Sequence, residues 1–186
     1  MKLVPTPSQT VGPFFSIGFD PLRCVDLAAP GVPGEHVEIE GRVLDGDGKP
    51  VPDAVLEIWQ ADAQGEYAAS VDSSTKTPFR GFGRVPTDAS GCFRFTTIKP
   101  GPVAGPGEST QAPHLAVSLF MRGLLLRLVT RMYFPDQRAN GRDPILSLIE
   151  PERRPTLVAT ADAANPSRLH WDIRLQGDQE TVFFDC

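Results

Sequence analysis

The sequence predicts an all-β fold: a β-sandwich with an irregular N-terminal arm and few short helices. Three observations carry this. Apolar and polar residues alternate with period two in several short runs, the pattern of half-buried strands. Those runs are separated by clusters of proline and glycine, of which the chain has 19 and 17, and proline inside a helix costs about 3 kcal/mol. One helix candidate of note remains, DPILSLIEPE. Short strands between turn clusters are the signature of a sandwich.

The elements follow in order. Residues 1–35 are rich in proline and glycine and read as an arm, with an apolar knot at Phe14, Phe15 and Ile17; the body is assigned to 36–186. HVEIEGRVL alternates Val37, Ile39 and Val43 with Glu38, Glu40 and Arg42, a half-buried strand. DGDGKPVPDA supplies turn residues, and VLEIWQA is a second strand ending at Trp59. FRFTTIKPG, with Phe93 and Phe95, is another, stopped by Pro100 and Gly101. LAVSLF and, after a turn at Arg122-Gly123, LLLRLVTRMYF follow. In the latter, Leu124, Leu126, Leu128, Met132 and Phe134 share one face, opposite Leu125, Arg127, Val129, Arg131 and Tyr133. DPILSLIEPE carries Asp143 as N-cap and Pro144 at the first helical position. RLHWDIRLQ alternates Leu169, Trp171, Ile173 and Leu175 inward with Arg168, His170, Asp172 and Arg174 outward, and TVFFD closes the chain. Trp59 and Trp171 are expected in the core. Phe14, Phe15 and the VFF ending are expected to form apolar surface that a partner covers.

At 186 residues the length corresponds to a single domain, 1–186, at roughly 150 residues per domain. A net charge of −5 with scattered Lys and Arg gives no attraction to phosphate, so nucleic acid is not an expected partner. Cys24, Cys92 and Cys186 lie far apart, and an odd number without CxxC spacing argues against a disulfide framework and a zinc site. The N-terminus lacks the apolar run of a signal peptide. No run of about 18 apolar residues exists, so no membrane span is expected. A reduced, cytoplasmic protein is the expectation.

Motifs of common chemistry are missing: no P-loop, no G-x-S-x-G, no HExxH, and no βαβ context for the glycines of KPGPVAGPG. His36, His114 and His170 stand isolated from one another, and a lone strand histidine is more often structural than a ligand.

Several stretches taken together are specific. GRVLDGDGKPVPDAVLEIWQADAQGEY, TDASGCFRFTTIKPGP, APHLAVSLF with LVTRMYF, and DIRLQGDQETVFFD, with the opening PTPSQTVGPFF, resemble the intradiol ring-cleaving dioxygenases over nearly the whole chain. Within that family the likeness is to the α chain of members built from two related chains. The resemblance implies ferric iron held by two tyrosinates, two histidines and a hydroxide. Anionic oxygen is the donor a hard cation prefers. It also implies cleavage of a catechol by O₂ between its two hydroxyl-bearing carbons. For protocatechuate the product is 3-carboxy-cis,cis-muconate.

Carried over one position at a time, the family's first tyrosine falls on Tyr67 and its second on Val103. The family's H-x-H, which puts two imidazoles on one strand face, falls on His114 and Ala116. Tyrosinate and imidazole donors survive only at Tyr67 and His114, so the resemblance implies a chain that holds no metal and has no catalytic residues of its own. The iron, Fe(III), then belongs to a homologous β chain, with which this chain pairs in a larger hetero-oligomer. Thr10, Gly12, Pro13 and Arg131 match α-chain positions that reach the β chain's substrate pocket, where a guanidinium suits the carboxylate of protocatechuate. Two other readings stand beside this one: a self-sufficient catechol-type enzyme with unorthodox ligands, and a non-enzymatic scaffold module. On residues alone, Arg131 alternates with Arg127 and reads as a solvated face, while Tyr67 and His114 read as hydrogen-bonded core residues.

Overall fold

Two sheets stacked face to face enclose the main core in the computed structural model, which describes residues 4–68 and 79–185; Cys186 lies outside them. In the first sheet β1 (His36–Leu44) is central. It runs antiparallel to β4 (Cys92–Ile98), with Ile39 opposite Phe95. Along its other edge it pairs in parallel with β10 (Arg168–His170) and β11 (Ile173–Arg174), Glu38 matching Arg168 and Val43 matching Ile173. The offset is the same in both pairings, so β10 and β11 are one strand interrupted at Trp171–Asp172. Gly41 explains the close approach there: a Cβ on it would run into the Trp171 carbonyl. β9 (Thr160–Ala161) extends this edge antiparallel to β10.

The second sheet is antiparallel, in the order β3 (Phe82–Pro86), β2 (Val55–Trp59), β7 (His114–Phe120), β8 (Leu128–Tyr133). A two-stranded hairpin of β5 (Val103–Ala104) and β6 (Thr110–Gln111) stands apart. Side-chain alternation fixes which face is core. Val37, Ile39 and Val43 of β1 meet Leu56 and Ile58 of β2, Leu115, Val117 and Leu119 of β7, and Met132 of β8 in one cluster. The opposite face of β7 and β8, carrying His114, Ala116, Arg131 and Tyr133, turns toward the C-terminal third of the chain. There Tyr133 joins Ala112, Leu146 and Leu157 in a second cluster, edged by Val182 and Phe184.

The sandwich and its main strands follow the sequence expectation; several details do not. The run 124–134 is a strand only over Leu128–Tyr133. Gly123, at φ +94°, opens a wide hairpin turn instead, leaving Leu125 and Leu126 exposed and Arg127 off the strand. The arm is not wholly irregular: α1 (Phe14–Phe19) is a helix, followed by a 3-10 turn over Asp20–Leu22. Phe15 and Phe19, four residues apart and 4.6 Å between ring centroids, meet edge to face along one side of it. DPILSLIEPE forms only a 3-10 turn, Leu146–Leu148, whose N-cap position is Ile145 and not Asp143; Asp143 instead accepts from the Ile145 and Leu146 N–H groups from just ahead of it. Pro151 follows too closely for a longer helix. Trp171 is core, but Trp59 is 36% exposed because odd positions of β2 face outward. The VFF ending is half-buried against the chain's own clusters rather than exposed. Leu175 is likewise half-buried. Among the described residues no helix is long and apolar enough to cross a membrane.

Candidate functional site

On the outer face of the second sheet, register brings the positions of interest together. Ala116 lies opposite Trp59 on one side and Arg131 on the other, and His114 lies opposite Tyr133. Tyr67, in the loop after β2, stacks on Trp59 with ring centroids 6.4 Å apart and planes 17° apart. Val103 pairs with Gln111 in the small hairpin that leads into β7. The His114 and Tyr133 rings are 5.7 Å apart.

Arg131 organises this cluster. Its Nη1 donates to Gln111 Oε1 at 2.6 Å and makes a long 3.5 Å contact to the Tyr133 oxygen. Its guanidinium carbon is 6.0 Å from the Phe184 ring centroid, within the range of a cation–π contact. No carboxylate among the described residues is within ion-pair distance of it. Arg131 is therefore half-buried and held, not a solvated-face residue as the residues alone suggested.

Behind Tyr133 sits Asp143, buried, whose carboxylate accepts four hydrogen bonds. They come from Ala112 N at 2.7 Å, Tyr133 OH at 3.1 Å, Ile145 N at 2.9 Å and Leu146 N at 2.8 Å. This ties the entry of β7, the end of β8 and the following turn to one residue.

The titratable groups respond to this setting. Burial pushes the Tyr133 phenol up to about 12, helped by the Asp143 charge and opposed by Arg131. Burial also raises the Tyr67 phenol, with Arg131 pulling the other way. The His114 imidazole is lowered, first by burial and further by Arg131, against the Ala112 carbonyl and Asp143. His114 Nδ1 lies 2.8 Å from the Ala112 carbonyl, so this buried histidine has a main-chain partner, as expected. Tyr67 differs from expectation: it is 44% exposed and ring-stacked.

These residues do not fit a ferric ion. Val103 and Ala116 offer no donor atom, burial raises the Tyr67 phenol and so disfavours its anion, and the Arg131 guanidinium already sets a positive charge beside Tyr67 and His114. A hard trivalent cation needs anionic oxygen donors, and this cluster presents a cation in their place. Among the described residues no group of three or more His, Cys, Asp and Glu could hold a metal.

The arm residues sit elsewhere. Thr10 Oγ1 accepts from Gly123 N at 2.7 Å, pinning the arm to the β7–β8 turn. The Gly12 carbonyl accepts from Phe15 N at 3.0 Å as α1 begins, and Pro13 is its N-cap. Phe15 packs 5.9 Å from Phe120. Arg131 is three pairs along the ladder from Leu128, about 10 Å at 3.4 Å per residue. Arm and arginine thus occupy the two ends of one strand pair. Sequence reasoning gave no role to Gln111 and saw Asp143 only as a cap. Neither belongs to a motif, and both act through contacts distant in sequence.

Comparison with known proteins agrees with this architecture. Residues 20–177 match the dioxygenase family model. The chain is 46% identical to the protocatechuate 3,4-dioxygenase alpha chain of Burkholderia cepacia, over 97% of this chain and 96% of that one. It is 37% identical to the beta chain of the same organism's enzyme, over 80% of this chain and 67% of that one. Among solved structures, it resembles the dioxygenase domain of a dioxygenase carbohydrate-binding fusion from Streptomyces sp. SirexAA-E. That match has a TM-score of 0.64 and 27% identity, over 96% of this chain and 100% of that one. With this family match running through most of the sandwich, the chain belongs to the intradiol dioxygenase family.

Proposed function

We propose that this chain is the α subunit of a heteromeric protocatechuate 3,4-dioxygenase, a single domain that holds no iron and completes the pocket of a homologous β chain. The observation that carries the reading is Arg131 opposite Ala116: the family's metal position has lost two donors and gained a fixed cation. Ferric iron, held by the β chain, supplies the activation of the catechol ring toward O₂. The reaction is intradiol cleavage of protocatechuate to 3-carboxy-cis,cis-muconate, a step of aromatic-compound breakdown in the cytoplasm. This chain's part is binding. Arg131 offers its guanidinium to the substrate carboxylate, a charge-assisted contact. Thr10, Gly12 and Pro13 line the mouth of the pocket. Gly12 suits such a place, since a Cβ there would meet nothing within 4 Å in this chain, leaving the room to a partner.

The test is to purify the chain alone and with its β partner, then measure iron and oxygen uptake with protocatechuate. The expected result is iron and turnover in the complex, with the isolated chain free of stoichiometric iron and of the visible tyrosinate-to-iron band. Stoichiometric ferric iron in the isolated chain would establish the self-sufficient enzyme instead. Full turnover by the β chain without this one would establish the scaffold.

A further inference from the structure

Arg131 is not merely near Gln111 and Tyr133; both contacts converge on one atom of its guanidinium. Nη1 donates to Gln111 Oε1 at 2.6 Å and approaches the Tyr133 oxygen at 3.5 Å. Nε and Nη2 make no hydrogen bond among the described residues, and together they form the edge that grips a carboxylate through two parallel hydrogen bonds.

Both acceptors are themselves held. Gln111 Nε2 donates to the Ala104 carbonyl at 2.8 Å. That donor can only be the amide nitrogen, so the amide oxygen is the atom turned to Arg131. The Tyr133 hydroxyl donates its proton to Asp143 Oδ1 at 3.1 Å, which leaves its lone pairs to face the guanidinium. On the cross-strand side of Arg131, Ala116 contributes only a methyl group. An arginine side chain has many rotamers, and here two fixed acceptors select among them.

We infer that Gln111 is a positioning residue for substrate selection: with Tyr133 it aims Arg131 so that the Nε–Nη2 edge is presented to the ring carboxylate of a catechol acid. The inference rests on the reading that Arg131 meets that carboxylate. Gln111 touches no substrate itself. Its effect runs through the guanidinium, and it should separate ortho-diphenols that carry a ring carboxylate from those that do not.

The experiment uses the assembled enzyme, this chain with its iron-holding partner, and compares kcat and KM for protocatechuate and for unsubstituted catechol. Arg131→Ala should lower kcat/KM for protocatechuate by about ten- to a hundredfold, the size of a charge-assisted contact, and affect catechol far less. Gln111→Leu should raise KM for protocatechuate several-fold with little change in kcat, and shift catechol little. The double variant should be no worse than Arg131→Ala alone, because a residue acting only through Arg131 has nothing left to lose once it is gone. If Gln111→Leu harms both substrates alike, harms neither, or adds its full effect to that of Arg131→Ala, the inference is overturned while the role of Arg131 stands. If Arg131→Ala itself fails to discriminate, the underlying reading falls and takes the inference with it. Gln111→Glu keeps the side chain's size and its acceptor but sets a negative charge against the guanidinium. It should raise KM for protocatechuate alone, and serves if the leucine variant does not assemble; an equal effect on catechol would overturn the inference.

Discussion

Replacing Asp143 by asparagine tests whether one buried carboxylate organises this end of the sandwich. Oδ1 accepts from Tyr133 OH, Ile145 N and Leu146 N, while Oδ2 accepts from Ala112 N. An asparagine can keep one oxygen. The least costly choice leaves it at the Oδ1 position, so an NH₂ group then faces the Ala112 N–H. Ala112 is 1% exposed, and water cannot make up the loss. A buried donor without a partner costs about 1–3 kcal/mol, and the three remaining bonds lose their charge assistance. The sum is about 2–3 kcal/mol, which at roughly 2–3 kcal/mol per molar urea lowers the midpoint of unfolding by about 1 M. Tryptophan fluorescence is the natural probe, since the Trp171 indole N–H bonds the Thr156 carbonyl at 3.0 Å within the adjoining segment. Asp143→Ala, which removes both acceptor oxygens and with them all four hydrogen bonds, should cost more than the asparagine. A midpoint for Asp143→Asn indistinguishable from that of the parent would refute the reasoning, as would an alanine variant more stable than the asparagine.

Three further outcomes are expected. Both tyrosines of the chain, Tyr67 and Tyr133, have raised phenol pKa values, so native protein should gain its phenolate absorbance at higher pH than urea-unfolded protein. Because the folded form keeps its protons where the unfolded form releases them, the stability from Tyr133 is intact below about pH 10 and is lost as pH rises toward about 12. Coincident native and denatured titrations would contradict this. Phe14, Ile17, Leu125 and Leu126 are 80%, 65%, 62% and 73% exposed, so the isolated chain should self-associate in sedimentation, and changing these residues to serine should reduce it. Gly41→Ala should abolish soluble folded protein, since its Cβ has no room beside the Trp171 carbonyl; a folded variant with an unchanged melt would show that the interrupted strand can shift.

How much of this could be read from the chain depended on how local the cause was. β1 was legible over its full length because Val37, Ile39 and Val43 keep to one parity across the gap at Gly41, and period two alone implies which residues share a face. The same rule does not say which face is inside. Trp59 follows the alternation of β2 and so ends outside, although its size argued for the core. The turn at Gly123 was legible, but the apolar Leu124, Leu125 and Leu126 that follow it hid how far the turn extends before the strand begins at Leu128. Period two places His114 and Ala116 on one face, but only the family resemblance, not the spacing, drew attention to that pair. The second layer did not show: Gln111 lies in a two-residue strand, and Asp143 reaches Ala112 across 31 residues. No local pattern encodes either contact.

The parallel pairing of β1 with β10 and β11 bears on the order of events during synthesis. Arg168 meets Glu38 across 130 residues, whereas all four strands of the second sheet have been made once Tyr133 is complete. A chain leaving the ribosome from its N-terminus can therefore close the second sheet while β1 still lacks its C-terminal neighbours. During that interval the inner faces of Leu115, Val117 and Leu119 have only β1 and β4 to cover them, and one edge of β1 is open. Unpaired edges and uncovered apolar faces are what nascent chains aggregate through, and contacts of such long range are slow to form. Truncation before Ile173 should thus yield aggregation-prone chains rather than a smaller folded unit, and yield in cells should depend on chaperone capacity during the last quarter of translation.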